Sequence, residues 1–153
     1  MNKLSQIIAQ NGFALADGAT GTNLFAKGLV TGDAPELWNL QAADKIRELH
    51  DDFLKAGSDI ILTNSFGGTH FRLALHNAQD KVAELNYQAA QIAVASAKEA
   101  GKDVVVAGSM GPTGELFTPL GALDEPHAIA AFTEQATALA EGGVDLLWIE
   151  TMS

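Results

Sequence analysis

Gly57-Ser-Asp-Ile-Ile-Leu-Thr63 decides the fold: a glycine stop, two polar residues, then an unbroken apolar run that ends on a hydroxyl. The run does not alternate, so it suits a parallel strand covered on both faces rather than a half-exposed one. The same punctuation returns at Gly101-Lys-Asp-Val-Val-Val-Ala107 and at Gly142-Gly-Val-Asp-Leu-Leu-Trp-Ile149. Asp59, Asp103 and Asp145 head the three runs at intervals of 44 and 42 residues, the length of a repeated strand-and-helix unit.

The stretches before these glycines carry helical apolar spacing: Ile46, Leu49 and Phe53; Val82, Leu85, Ala89 and Ile92; Ile129, Phe132, Ala136 and Leu139. Asp80 and Asp124 stand where N-caps belong, Pro126 falls in a first turn, and Gly57, Gly101 and Gly142 mark the stops. Phe13-Ala-Leu-Ala16 reads as an earlier, first strand, which makes the order β-α-β-α-β-α-β.

Doubly wound sheets and eight-fold barrels are both built this way. The turn after the first run, Asp17-Gly-Ala-Thr-Gly-Thr22, lacks the G-x-G-x-x-G spacing of a dinucleotide site and the lysine of a P-loop. The reading is therefore an α/β chain forming the first half of a (β/α)8 TIM barrel, truncated after strand 4, with residues 1–153 as one N-terminal part of that domain. A whole barrel takes roughly 250 residues. Open first and fourth strands invite pairing with another chain, so a homo-oligomer is one expectation.

Composition narrows the partners. With 47% hydrophobic and 18% charged residues the chain has the make-up of a folded domain. A formal charge of −10, with nine scattered basic residues, argues against a nucleic-acid partner. Neither a signal-type apolar core nor a membrane-length run is present, so no membrane role and a cytoplasmic location are expected. Cysteine is absent, which removes thiolate nucleophiles and cysteine metal sites from these residues.

Barrel chemistry sits where strands end, which selects Asp17, Thr63, Asn64, Ser109 and Glu150. Asp17 has a simple role as a turn cap, and Thr63, Asn64 and Ser109 as partners for loop backbone groups. Glu150 follows Leu-Leu-Trp-Ile and should be partly buried, a place where a carboxylate needs a cation or several donors. With Asp17 it could hold an ammonium group across the barrel mouth. Ser109-Met-Gly-Pro-Thr-Gly-Glu-Leu116 reads as a tight loop or an anion cradle, and Asn64-Ser-Phe-Gly-Gly-Thr69 as a loop shaping the pocket. His50, His70, His76 and His127 lack the spacing of a local metal site and read as surface or loop residues. Trp38 either packs under the first long loop or offers a face to a methylated cation.

Five stretches in order, Asp17-Gly-Ala-Thr-Gly-Thr22, Pro35-Glu-Leu-Trp-Asn39, Leu62-Thr-Asn-Ser-Phe66, Ala107-Gly-Ser-Met-Gly-Pro-Thr-Gly-Glu115 and Gly143-Val-Asp-Leu-Leu-Trp-Ile-Glu-Thr151, resemble the homocysteine S-methyltransferase family. The likeness is to its bacterial betaine-type members in particular. It implies methyl transfer from a small donor such as betaine to a zinc-activated homocysteine thiol, giving methionine. It also implies that Asp17 and Glu150 bind the homocysteine amine and that backbone N–H groups of Gly18, Ala19 and Thr20 receive its carboxylate, with Thr63, Asn64 and Ser109 nearby. Trp38 and Phe66 would border the donor. The zinc ligands implied are cysteines beyond residue 153, so this stretch alone would be inactive. Two other readings stand beside it: a non-catalytic half-barrel that binds amino acids and dimerises through its sheet edges, and a barrel enzyme of different chemistry.

Overall fold

The computed structural model describes residues 2–152. Helix α1 (Lys3–Asn11) leads through Phe13–Ala16 to a short α2 (Gly21–Ala26). A 3-10 turn (Pro35–Leu37), α3 (Trp38–Gln41) and α4 (Ala43–Ala56) follow, then β1 (Ile60–Leu62). The next units are α5 (His70–Ala74), α6 (Val82–Glu99) and β2 (Val105–Met110), then α7 (Glu125–Glu141) and β3 (Leu146–Ile149). The strands form a parallel sheet in the order β1-β2-β3. Each strand thus lies beside its predecessor, with a helix in the crossover between them.

Side chains alternate across this sheet, and the two faces have different covers. Ile61, Val104 and Val106 pack with Leu54 of α4 and Ala93 of α6. Ile60, Val105 and Ala107 pack instead with Ile7 of α1, joined by Leu146 and Trp148. β2 is buried along its whole length because it has a strand on each side and helices on both faces. Each aliphatic side chain removed from water in this way contributes about 1.5–3 kcal/mol.

The outer runs depart from the expected double cover. In β3, Leu146 and Trp148 are half-buried while Leu147 and Ile149 are exposed. The expected first strand is reduced to one bridge, Ala16 to Ile60, and Phe13 and Leu15 are exposed. In both runs one face, Ala14 and Ala16 or Leu146 and Trp148, packs on the Ile7 cluster while the other stays open, which gives the alternation.

Three local readings need correction. Asp80 lies inside a 3-10 turn (Gln79–Lys81) rather than capping α6, whereas Asp124 does cap α7 by accepting from the His127 N–H at 2.9 Å. The buried stripe of α7 is Ala128, Ala131, Gln135 and Ala138 with Leu139; Ile129 is exposed. Small residues win that face because α7 and α6 approach closely: a Cβ on Gly142 would lie 2.4 Å from Cβ of Ala90. Gly57, by contrast, is required by its φ of 109°. Finally, His50 is a core residue of α4, 1% exposed, not a surface one. Neither ring nitrogen has a hydrogen-bond partner, and burial lowers its pKa from 6.5 to about 4.

Candidate functional site

Asp17 follows directly on the Ala16 bridge. Its N–H donates to the Ile60 carbonyl at 2.9 Å, and its Oδ2 accepts from the Leu62 N–H at 2.9 Å. Burial pushes its pKa up to about 6, opposed by the Leu62 hydrogen bond and assisted by the negative charge of Glu150. Glu150 itself is half-buried at the end of β3, its N–H donating to the Met110 carbonyl at 3.1 Å. Its Oε1 accepts from the Ser109 hydroxyl at 2.7 Å, so the strand-end serine of β2 aims the strand-end carboxylate of β3.

The end of β1 is held from behind. Thr63 Oγ1 accepts from the Ser109 N–H at 3.0 Å and shares a 2.6 Å hydrogen bond with Ser65 Oγ, which donates to the Ser109 carbonyl at 2.7 Å. Asn64 Nδ2 donates to the carbonyl of Pro35 and to Asn39 Oδ1, while Asn39 Nδ2 donates back to the Asn64 carbonyl. Gln135 of α7 donates to the Ser65 carbonyl, and Asn86 of α6 donates to that of Gly68, at 2.7 and 2.8 Å. A Cβ on Gly68 would stand 2.4 Å from Asn86 Oδ1, so only glycine fits beneath these amides.

These elements enclose a cavity of about 600 Å³ lined by Asp17, Gly18, Ala19 and Thr20, by Thr63, Asn64 and Phe66, and by Ser109 and Glu150. The structure brings together every strand-end candidate named from the sequence. Trp38 is the exception: it packs against Leu24, Leu29, Ile46, Leu49 and Ile92 and does not line the cavity. Phe66 does, with its ring laid over Gly111, where an added Cβ would meet ring carbons at 2.7–2.8 Å. Of the loop from Ser109 to Leu116, only Ser109 reaches the cavity; Gly114, at a φ of 82°, belongs to a tight turn.

Sequence reasoning missed Asp33, Glu36, Arg72 and His76, which also line the cavity. Glu36 lies within Pro35-Glu-Leu-Trp-Asn39, two residues before the tryptophan. The usable signal was a glutamate beside a proline, placed to open a buried turn. Glu36 is 6% exposed, and its Oε1 accepts from the Gly67 N–H at 2.6 Å. Among the described residues no lysine, arginine or histidine nitrogen pairs with Asp17, Glu36 or Glu150.

The arrangement is a strongly acidic concave site with hydrogen-bonded, cation-less carboxylates, suited to cationic ligands. Among the described residues no group of three or more His, Asp or Glu side chains could hold a metal ion, and the sequence has no cysteine. The described residues alone therefore do not form a site that fits a catalytic metal. No helix among the described residues is long and apolar enough to cross a membrane.

Comparisons with known proteins bear on this geometry. The chain is 32% identical over 146 residues to the methionine synthase of Mycobacterium tuberculosis, covering 90% of this chain and 12% of that protein. It is also similar to the homocysteine methyltransferase MmuM of Escherichia coli. The oxidized form matches at 28% identity with a TM-score of 0.79, covering 99% of this chain and 57% of that one. The metallated form matches at 27% identity with a TM-score of 0.80, covering 99% and 58%. The chain thus spans little more than half of these solved structures. The family model described as homocysteine S-methyltransferase matches residues 14–153, and the chain belongs to that family.

Proposed function

We propose that this chain is the amine-binding half of a (β/α)8 barrel that methylates homocysteine to methionine. The observation that carries the reading is the set of carboxylates without cations at the strand ends, in a chain of this family. Asp17 and Glu150 clamp the homocysteine ammonium, and backbone N–H groups of Gly18, Ala19 and Thr20 receive its carboxylate. Ser109 orients Glu150 through its 2.7 Å hydrogen bond. Thr63 and Asn64, engaged in the buried network, fix the end of β1 rather than touch substrate.

The donor is a methylated onium compound, betaine being the model case. The homocysteine sulfur, as thiolate, attacks a methyl carbon. An S–CH3 bond forms, the N–CH3 bond breaks with its electrons passing to nitrogen, and dimethylglycine leaves; the thiol proton is released to solvent. Phe66 offers the onium an aromatic face. The metal of the family, zinc by resemblance, is assigned to cysteines outside this chain, and the reaction to the cytoplasm.

The complete polypeptide should convert homocysteine and betaine into equal amounts of methionine and dimethylglycine, followed by chromatography. Failure to bind homocysteine at all would overturn the reading. A second reading, a half-barrel binding module that pairs with a copy of itself, draws on the exposed Phe13, Leu15, Leu147 and Ile149 at the outer runs. A well-folded dimer of residues 1–153 in sedimentation, binding amino acids without metal, would favour it.

A further inference from the structure

Homocysteine brings one ammonium, yet the cavity presents carboxylates on separate walls. Asp17 and Glu150 belong to strand ends, while Glu36 comes from the 3-10 turn Pro35–Leu37. Glu36 is 94% buried by the measure of its 6% exposure, and Gly67 supplies the one N–H it receives. Its second oxygen, Oε2, has no protein donor among the described residues. A carboxylate anchored by one neutral donor, with its other oxygen open to the cavity, is placed to receive a cation there. The cavity it lines is the route by which one can arrive.

Arg72 poses the complementary question. Arg72 lines the same cavity and pairs with no carboxylate among the described residues, although Asp17, Asp33, Glu36 and Glu150 line it too. Its side chain, from Cδ to one edge of the guanidinium, runs beside the loop after β2: a Cβ on Gly114 would lie 3.3 Å from Cδ and Nη1 of Arg72. A planar fork of donors left unpaired at the edge of an acidic cavity matches a ligand carboxylate.

We propose that Glu36 and Arg72 are the two poles of the methyl donor's subsite, Glu36 receiving the onium head and Arg72 the acid group. The donor class is then a zwitterionic onium carboxylate. A purely cationic donor leaves Arg72 unmatched, and a polyanionic one meets four carboxylates. The inference rests on the homocysteine methyltransferase reading of this cavity and adds residues to it.

Calorimetry on the complete polypeptide, with homocysteine, glycine betaine and tetramethylammonium as probes, tests it. Glu36→Gln keeps an oxygen for the Gly67 N–H but removes the charge. It should weaken betaine and tetramethylammonium about tenfold or more, and homocysteine less than about twofold. Arg72→Met, at an exposed position, should weaken betaine about tenfold and leave tetramethylammonium unchanged. Unchanged betaine affinity in either variant overturns the proposal, as does equal loss of homocysteine and betaine, which would make Glu36 a loop brace. If Glu36→Gln does not fold, Arg72→Met decides: equal effects on betaine and tetramethylammonium sink the zwitterion. A wild-type protein that ignores homocysteine refutes the underlying reading instead.

Discussion

Where the strands of this sheet begin, Asp59 and Asp145 each hold a lysine; where they finish, Asp17 and Glu150 hold none. Asp59 pairs with Lys102 at 3.3 Å and Asp145 with Lys3 at 2.8 Å. Each also exchanges two hydrogen bonds with one residue of the preceding run. Asp59 N–H donates to the Leu15 carbonyl while Leu15 N–H donates to Asp59 Oδ2, and Asp145 and Val106 do the same. Those carboxylates complete the ladder and are neutralised within the chain. The ones at the other end use backbone or hydroxyl donors to fix their direction and keep their charge for something that is not protein. Asp59 and Asp145 of the sequence period are thus fold residues, and the irregular acids are the site residues.

Removing one acid from each end should separate the two roles. Glu150→Ala is expected to weaken homocysteine binding by about ten- to a hundredfold, the loss of one charge-assisted contact, with little change in melting temperature. Unaltered affinity by calorimetry would erase the distinction. Asp145→Ala is expected to do the reverse. It strands the N–H of buried Val106, and should cost about 1–3 kcal/mol in chemical denaturation while homocysteine affinity stays within about twofold.

A smaller effect sharpens the contrast through pH. Asp17 ionises near 6 when folded against 3.8 ordinarily, so the folded state binds the proton more tightly. Its contribution favours folding at low pH and is lost as pH rises through about 4 to 6. His50 binds its proton less tightly when folded, near 4 against 6.5, so its contribution is lost as pH falls through the same window. The two slopes oppose each other. Asp17→Asn should leave stability that rises with pH between about 4 and 6.5, and His50→Leu stability that falls, each by about 1–2 kcal/mol. Denaturation at pH 4.5 and 7 giving both variants the same slope would contradict these assignments. Asp17 must also be ionised to hold an ammonium, so homocysteine affinity should climb through pH 6 in the wild type and not in Asp17→Asn.

Glycine stops followed by unbroken apolar runs were enough to read the parallel order and the helices α4, α6 and α7, because burial on both faces leaves a mark on every residue of a strand. The short helices α1, α2, α3 and α5 left no such mark, since few or none of their turns face a core. The buried face of α7 is not legible from apolar spacing because the alanines that allow close approach look no more apolar than their neighbours. At the site, residues directly after a strand were legible from position alone. Glu36 and Arg72 were not: they reach the cavity from a turn and a five-residue helix whose placement depends on contacts distant in sequence, such as Asn39 with Asn64 and Glu36 with Gly67.

The amides of Asn39, Asn86 and Gln135 under the segment from Thr63 to Thr69 have a consequence for how the cavity works. They tie a loop that would otherwise sample many shapes to two long helices and the short α3, so its ordering entropy is lost when the chain folds and not when a ligand arrives. A pocket preorganised in this way meets its substrates as a rigid mould. Its selectivity then comes from where the charges stand, and its affinity should depend little on any closing motion of that loop.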